Sequence, residues 1–173
     1  REYLSGIETS SGPLGEGLSQ TIGMAIADRI DGGNKYFYCL LGDGELNEGN
    51  IWEAAMHAGK EKLDKVIAFV DRNDIQIDGF THNVMPLEPL FEKWNSFGFF
   101  TQEIDGHDFE QIENAVEKAK LQKNKPSIII AKTIPGKGIP EWENKPEWHG
   151  KAPTENEAQE ALEILNKNDD YVE

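Results

Sequence analysis

The chain has 173 residues, which is enough for one domain of ordinary size. Its 32 Asp and Glu residues outnumber 17 Lys and Arg residues, and the net charge of −15 argues against nucleic acid or anionic membranes as partners. The hydrophobic fraction of 38% is sufficient for a core, and no apolar run is long enough to span a bilayer.

Strand-like runs alternate with helical patterns along the chain. The strand-like runs span 36–41, 66–70, 98–104 and 127–133. The second and fourth are continuously apolar, which is typical of strands buried on both faces of a parallel sheet. Apolar residues at spacings of three and four predict helices over 14–30, 47–60, 87–97 and 109–121. This order predicts an α/β fold, a doubly wound and mainly parallel sheet with helices on both faces. Ligands in such folds bind at the carboxyl ends of the strands.

The last forty residues divide into a loop and a helix. Residues 134–153 are rich in Pro, Gly and Trp and show no clear period, so we expect a long ordered loop over the site. Thr154 and Glu157 have the spacing of a capping box, which predicts the start of a helix. We therefore expect an α/β domain over 1–153 and an acidic terminal helix and tail over 154–173.

The chain has a single cysteine, Cys39, and begins at Arg1. One cysteine cannot form a disulfide within the chain, and this favours a reducing, cytoplasmic setting. Because a Gly/Ser-rich loop comes at once after Arg1, we expect the domain to lack its start.

The most prominent motif is the turn of Gly42, Asp43 and Gly44, which directly follows the first strand-like run. The glycines allow a tight turn and the close approach of a ligand, while the aspartate follows the carboxyl end of a strand. An ordinary strand-to-helix turn is the alternative interpretation, since Gly and Asp are common in such turns.

A second polar segment, from Asp71 to Gly79, follows the second buried run. Residues 45–72 suffice for one helix and one strand, so Asp43 and Asn73 are expected to end neighbouring strands at one edge of the sheet. Their carboxylate and carboxamide supply hard oxygen ligands suited to Mg²⁺ together with phosphate oxygens. The positive end of the helix expected after the glycine turn would favour a diphosphate there.

These motifs and their surroundings resemble the transketolase family of thiamine diphosphate enzymes. A Gly-Asp-Gly turn with Asn at this distance is similar to the family's cofactor motif. Residues 6–17 resemble its cofactor-contacting glycine loop, and residues 75–79 and 148–153 resemble later family segments in the same order. The resemblance covers nearly the whole chain and implies the thiamine-diphosphate-binding fold, in its diphosphate module.

The resemblance implies a site for thiamine diphosphate and a divalent cation, Mg²⁺ or alternatively Ca²⁺ or Mn²⁺. The side chains of Asp43 and Asn73 and the backbone carbonyl of Ile75 would bind the metal. The residues implied to contact the cofactor are Gly12, Pro13, Leu14, Gly42, Asp43, Gly44, Glu45, Asn73, Ile77 and His149. Two of the implied residues are catalytic: His149, near the diphosphate and the substrate, and Glu48, at a subunit interface that couples two active sites.

Several of these residues also have a plain structural interpretation. His149 could cap a loop, Glu48 could be a first-turn acid favoured by the helix dipole, and Ile77 could fill the core. Arg72 departs from the Asn or Asp that is commoner at its place in the family, but the implied ligand is the next residue. The other histidines lack a ligand spacing and are predicted to be structural: His57, His82 and His107.

The resemblance further implies a transferase that moves a two-carbon ketol unit between sugar phosphates. This chain would supply the Mg²⁺ and diphosphate half of the site, within a domain over 1–153. The partner would be a pyrimidine-binding domain or a C-terminal transketolase subunit, in a homo- or hetero-oligomer. Two alternatives remain open: a related enzyme, either 1-deoxyxylulose-5-phosphate synthase or dihydroxyacetone synthase, and a cofactor-binding homologue without catalysis.

Overall fold

The computed structural model describes residues 6–10 and 12–167. The strands are β1 (Phe37–Gly42), β2 (Val66–Arg72), β3 (Ile75–Gln76), β4 (Gly79–Phe80), β5 (Phe100–Asp105) and β6 (Ser127–Lys132). The helices are α1 (Glu16–Ile30), α2 (Gly49–Glu61), α3 (Thr81–Val84), α4 (Leu90–Ser96), α5 (Phe109–Lys120) and α6 (Glu155–Lys167). Two short 3₁₀ helices, Gly44–Asn47 and Pro146–Trp148, lie after β1 and in the loop after β6.

Four strands form one parallel sheet in the order β1-β2-β6-β5. The two continuously apolar runs are its central strands, β2 and β6. Ile67 and Ile129, which face one side, are fully buried, and so are Val66 and Ile128, which face the other. A strand covered on both faces has no position that favours a polar side chain. The more polar runs, β1 and β5, are the outer strands of this sheet.

Helices cover both faces of the sheet, which confirms the predicted doubly wound architecture. On one face α1, α2 and α4 pack against the sheet, and Trp94 of α4 is fully buried there. On the other face Ala115 and Ala119 of α5 pack against Ile67 and Ile129. None of the helices within the described ranges is long and apolar enough to cross a membrane.

The helix boundaries follow from local backbone and capping chemistry. Helix α1 begins at Glu16 and not at residue 14, because Gly15 adopts the left-handed region with φ 84°. Helix α5 begins after Asp108, whose carboxylate accepts a hydrogen bond from Gln111 N at 3.1 Å. Glu157 Oε2 accepts from Thr154 N at 2.8 Å, as a capping box requires. The part of the predicted tail beyond Lys167 lies outside the described residues.

The segment between β2 and α4 contains structure that the sequence patterns did not indicate. Strands β3 and β4 form an antiparallel hairpin of two residues each, and the four-residue helix α3 follows directly. Elements this short contain only about one period of their pattern, so the pattern never repeats and periodicity cannot reveal them. The helix predicted over 87–97 is shorter, Leu90–Ser96, and follows Pro89.

Gly59 marks the place where α2 meets the end of α4. A Cβ atom on Gly59 would lie 2.0 Å from the carbonyl oxygen of Phe97. We expect Gly59→Ala to lower the free energy of unfolding by about 1–3 kcal/mol, because the backbones must separate. Chemical denaturation measures this difference.

Gly23 provides the matched control within α1. A Cβ atom on Gly23 would meet no atom within 4 Å. Gly23→Ala should therefore leave the free energy of unfolding unchanged or raise it by up to about 1 kcal/mol, through helix propensity. Equal destabilisation by both substitutions would contradict the packing argument.

Candidate functional site

The Gly-Asp-Gly turn and the segment after β2 lie side by side at the carboxyl edge of the sheet. Gly42 and Asp71 are paired in the parallel register of β1 and β2, and Asp43 N donates to Asp71 O at 3.2 Å. Asp43 and Asn73 therefore follow neighbouring strands, which confirms the expected placement of the two residues.

Asp43 is a buried carboxylate held by three hydrogen-bond donors. It is 1% exposed, and its Oδ1 accepts from Gly44 N at 2.7 Å. Its Oδ2 accepts from Arg72 Nη1 and from Asp74 N, each at 2.7 Å. Burial raises the pKa of the Asp43 carboxyl, and the hydrogen bonds from Arg72, Asp74 and Gly44 only partly oppose that rise. A further cation would therefore stabilise the ionised carboxylate.

Arg72 connects Asp43 to the residues that follow β2. Besides Asp43, its Nη1 lies 2.7 Å from Asp74 Oδ1 and 3.0 Å from Thr81 Oγ1. Its Nη2 donates to Glu88 Oε1 at 3.0 Å. Burial opposes the charge of Arg72, but its hydrogen bonds to Asp43 and Glu88 raise the pKa of the guanidinium above its ordinary value. No spacing rule in the sequence indicates this buried ion pair between Arg72 and Asp43, so it was not predicted.

Asn73 is oriented by residues other than Asp43. Its Nδ2 donates to Asp71 Oδ2 at 3.1 Å, and its Oδ1 accepts from Ile75 N at 3.0 Å. Asp71 in turn accepts a hydrogen bond from the Thr133 hydroxyl, which ties the group to the end of β6. Among the hydrogen bonds of the described residues, none joins the side chains of Asn73 and Asp43, although both residues lie at the same edge of the sheet.

The residues at this edge fit a divalent cation. Asp43, Asn73 and the Ile75 carbonyl offer only hard oxygen donors, which Mg²⁺ prefers. Asp43 Oδ1 and Asn73 Oδ1 each accept one hydrogen bond and so retain an acceptor position. Residues 6–10 and 12–167 contain no group of three or more His, Cys, Asp or Glu side chains that could hold a metal ion. The donor set here is of a different kind, with one carboxylate, one amide and one carbonyl.

Glu45 joins the glycine loop to the Gly-Asp-Gly turn. Its Oε1 accepts from Gly15 N at 2.7 Å, and its Oε2 accepts from Gly42 N at 3.0 Å. Gly15 has φ 84°, which favours glycine, and a Cβ atom there would lie 2.0 Å from Asn50 Oδ1, so any other residue would also displace the Asn50 side chain. Glu45 therefore accepts backbone hydrogen bonds from both of the segments that the family resemblance implies as cofactor contacts.

The tip of the glycine loop is open to a ligand. Gly12, Pro13 and Leu14 are exposed, and a Cβ atom on Gly12 would meet no atom within 4 Å. Leu14 is 58% exposed and presents an apolar surface beside the loop. Ser11, within the same loop, lies outside the described residues.

Gly44 and the residues after it differ from the expected strand-to-helix turn. A Cβ atom on Gly44 would lie 2.8 Å from Gln76 Cβ, so the hairpin fills the space beside this glycine. The residues Gly44–Asn47 form a 3₁₀ helix, and α2 begins only at Gly49. The helix predicted over 47–60 therefore begins two residues later than expected, because Glu48 is extended, with ψ 129°. Glu48 itself is exposed at the N-cap of α2 and makes no side-chain capping bond.

The loop after β6 brings the His149 segment to the β3–β4 hairpin. A Cβ atom on Gly150 would lie 3.7 Å from Ile77 Cδ1, in van der Waals contact. His149 is exposed next to this contact, and Ile77 is 75% exposed. Ile77 is therefore not a core residue. The structure brings it close to the segment that carries His149, although the two are far apart in sequence.

Aromatic stacking and helix α6 hold this segment in position. The rings of Trp142 and Trp148 stack with their centroids 4.4 Å apart. Lys151 Nζ lies 4.0 Å from the centroid of the Trp148 ring and 2.6 Å from Glu157 Oε1 at the start of α6. His149, between Trp148 and Lys151 in sequence, is thus fixed from both sides.

His107 has a definable contact at the same edge, although the sequence predicted only a structural role. It lies two residues after β5, and its Nε2 accepts a hydrogen bond at 2.7 Å from the backbone N–H of Ile134, two residues after β6. A Cβ atom on Gly106 would lie 2.5 Å from Thr133 Cγ2, so this turn packs closely on the end of β6. His107 and Asn73 both line a cleft of about 590 Å³.

Comparison with known families gives a consistent result. Residues 1–171 match the sequence profile of a family described as transketolase, thiamine diphosphate binding domain. The chain is 47% identical over 162 residues to a 6-deoxy-6-sulfo-D-fructose transketolase subunit of a Clostridium species, covering 94% of this chain and 59% of that protein. It is 42% identical over 161 residues to an apulose-4-phosphate transketolase subunit of Actinobacillus succinogenes, covering 92% and 58%. The chain thus spans less than two thirds of the length of these relatives.

Solved structures agree with the sequence matches. The fold matches transketolase from Campylobacter jejuni with a TM-score of 0.86 at 36% identity, covering 93% of this chain and 26% of that one. It matches transketolase from Leishmania mexicana with a TM-score of 0.83 at 32% identity, covering 94% and 25%.

The two hydrogen bonds of Glu45 generate a test of the connection between the glycine loop and the turn. Glu45→Gln leaves one side-chain oxygen for two backbone N–H donors, so Gly15 or Gly42 loses its acceptor. An unsatisfied buried donor costs about 1–3 kcal/mol, and we expect amide exchange at that glycine to accelerate about tenfold or more. Hydrogen exchange followed by NMR measures this.

Glu53→Gln is the matched control, since Glu53 lies on α2, away from both glycine amides in sequence. It should leave the exchange of both glycine amides unchanged. Unchanged exchange in Glu45→Gln as well would show that Glu45 does not hold the loop.

Proposed function

The chain belongs to the transketolase family, through its thiamine diphosphate binding domain, and we propose that it supplies the Mg²⁺ and diphosphate half of an active site for ketol transfer. In this reaction a two-carbon ketol unit moves between sugar phosphates. The buried carboxylate of Asp43, at the end of β1 and beside the strand end that carries Asn73, supports the proposal most directly. The acceptor position that its Oδ1 retains leaves a place for a cation.

Each segment of the site has a proposed task. Asp43, Asn73 and the Ile75 carbonyl would hold the metal, which would supply positive charge for the diphosphate. The exposed tip of the glycine loop, with Gly12, Pro13 and Leu14, lines the cofactor, as do Gly42 and Gly44 of the turn. When bound, thiamine diphosphate supplies the electron sink that carbon–carbon bond cleavage requires.

Glu45, Ile77 and His149 complete the proposed site. Glu45 positions the glycine loop through Gly15 while the loop contacts the cofactor. The exposed side chain of Ile77 would be available to the thiazolium ring, and the exposed His149 would be available to the diphosphate and the substrate.

A partner chain or domain completes the active site in this proposal. The names of the relatives, which describe subunits of transketolases, favour a C-terminal transketolase subunit with a pyrimidine-binding domain. Glu48 lies exposed at the N-cap of α2, where its carboxylate is available to such an interface. The assembled enzyme would be a homo- or hetero-oligomer.

The names of the relatives also indicate a class of donor substrate. One relative is named for 6-deoxy-6-sulfo-D-fructose and another for apulose-4-phosphate. Both are sugars with an anionic group, a sulfonate or a phosphate, and we propose such a sugar as the donor here. Turnover with different acceptors separates this activity from those of 1-deoxyxylulose-5-phosphate synthase and dihydroxyacetone synthase. A complete absence of turnover with any pyrimidine-domain partner would favour a homologue without catalysis.

The single cysteine supports a cytoplasmic location. Cys39 is buried in β1, and burial raises the pKa of its thiol. A protonated, inaccessible thiol reacts slowly and makes no disulfide, as expected of a protein from a reducing compartment.

Replacement of Asp43 tests the metal assignment. We expect Asp43→Asn to weaken Mg²⁺-dependent binding of thiamine diphosphate by more than about tenfold, because the only carboxylate of the donor set is lost. Isothermal calorimetry, with Mg²⁺ and then with EDTA, measures this. Asn73→Ala removes a second ligand without unpairing Arg72, and covers the case in which Asp43→Asn is unstable.

Asp31→Asn is the control for charge, since Asp31 is exposed at the opposite end of α1 from the glycine loop. It should bind as the unmodified chain does. Unaltered binding in both Asp43→Asn and Asn73→Ala would refute the proposed metal site.

Replacement of His149 tests its catalytic role. With a pyrimidine-domain partner present, we expect His149→Asn to lower turnover by about a hundredfold or more, which is the usual range for a group that transfers protons. Circular dichroism should show an unchanged fold, because the side chain is exposed. His57→Asn, on an exposed position of α2, should retain full turnover. Full turnover in His149→Asn would return this residue to a structural role.

A further inference from the structure

We propose that Arg72 makes Mg²⁺ binding depend on the diphosphate. In this proposal the guanidinium is the internal counter-ion of Asp43 and opposes the bare cation, and the negative charge of the diphosphate restores binding. The inference rests on the proposed function, since it requires Asp43 to be a metal ligand.

The contacts of Arg72 place its charge permanently beside Asp43. The two side chains are 10% and 1% exposed, and Nη1 lies 2.7 Å from Asp43 Oδ2. Thr81, which is fully buried, accepts from the same nitrogen, and Glu88 accepts from Nη2. Glu88 is itself fixed, because its Oε2 accepts from Leu90 N at 2.9 Å. The guanidinium is therefore held on several sides beside Asp43.

Within the buried part of the site, Arg72 already pairs with the charge of Asp43 before any metal binds. Asp43 and Arg72 are a buried pair of opposite charges. The other two acids on Arg72, Asp74 and Glu88, have side chains that are 60% and 65% exposed, so water screens their charges. A divalent cation on Asp43 would thus add two positive charges to a buried site that already contains its counter-ion, and like charges repel strongly there.

A diphosphate changes this balance because it brings several negative charges with the metal. The complex of Mg²⁺ and diphosphate is an anion, and Arg72 attracts it instead of repelling it. Arg72 would then favour the complete cofactor over the free metal. A family member with a neutral Asn at this place would lack this discrimination.

Two other roles of Arg72 make different predictions. If Arg72 only ties β2 to the residues after it, its loss should weaken both binding reactions in parallel. If it mainly orients Asp43 as a ligand, its loss should weaken Mg²⁺ binding even without diphosphate. Only the counter-ion role predicts that removing Arg72 strengthens the binding of Mg²⁺ alone.

Calorimetry on the chain and its variants distinguishes these roles. Mg²⁺ is titrated alone and in the presence of saturating thiamine diphosphate, with inorganic pyrophosphate as a second probe that carries no aminopyrimidine. We expect Arg72→Gln to bind Mg²⁺ alone at least about tenfold more tightly than the unmodified chain. The affinity for Mg²⁺ in the presence of diphosphate should change much less. The factor by which diphosphate strengthens Mg²⁺ binding should therefore be smaller in Arg72→Gln than in the unmodified chain.

Three further variants control the experiment. Arg72→Lys keeps the charge and should retain the factor of the unmodified chain. Arg72→Met is a second neutral variant, for use if circular dichroism shows that Gln disturbs the fold. Arg29→Gln removes an equal charge from an exposed ion pair with Glu61, and it should leave the Mg²⁺ affinity unchanged both with and without diphosphate.

The outcomes separate the two proposals. Equal weakening of both affinities in the neutral variants, or an unmodified chain that binds Mg²⁺ equally well with and without diphosphate, would overturn the role of Arg72 while leaving the site intact. If neither probe promotes Mg²⁺ binding, and Asp43→Asn behaves as the unmodified chain does, the proposed function itself fails and the role of Arg72 fails with it.

Discussion

A buried carboxylate needs compensation, and the organisation of this site follows from that constraint. Asp43 is almost inaccessible at the end of β1, and donors from its own turn, from the end of β2 and from the segment after β2 converge on it. Leaving such a group unpaired typically costs about 3–5 kcal/mol, comparable to a large part of a domain's stability. The two strand ends, the hairpin and helix α3 are therefore linked through one charge and its partner Arg72.

The sheet could be predicted well because its pattern extends over whole elements. Continuous apolar runs identified β2 and β6 as central strands, and the chain length between Asp43 and Asn73 placed both at one edge. Capping residues such as Asp108 and Thr154 indicated helix starts from a single side chain each. The hairpin and the 3₁₀ helices could not be predicted in this way, because elements of two to four residues show no period.

Most of the residues proposed for the site came from the family resemblance, and their contacts could not be predicted from the sequence. Family resemblance implied Glu45 as a cofactor contact, whereas its carboxylate is engaged by the backbone of Gly15 and Gly42. The pairing of Arg72 with Asp43 and the bond from Ile134 to His107 join residues that are distant in sequence or have no spacing rule. Such contacts depend on side-chain packing around strand ends, which one sequence does not specify.

The double hydrogen bond of Glu45 has an evolutionary consequence. Gly15, Asn50 and Glu45 depend on one another. The backbone N–H of Gly15 donates to the carboxylate of Glu45, and the side chain of Asn50 occupies the space that a side chain on residue 15 would need. Substitutions at these positions are expected to be epistatic, each acceptable only after another has occurred. The cofactor loop of this chain would therefore diverge in correlated steps, and a graft of the loop onto another scaffold would have to transfer all three residues.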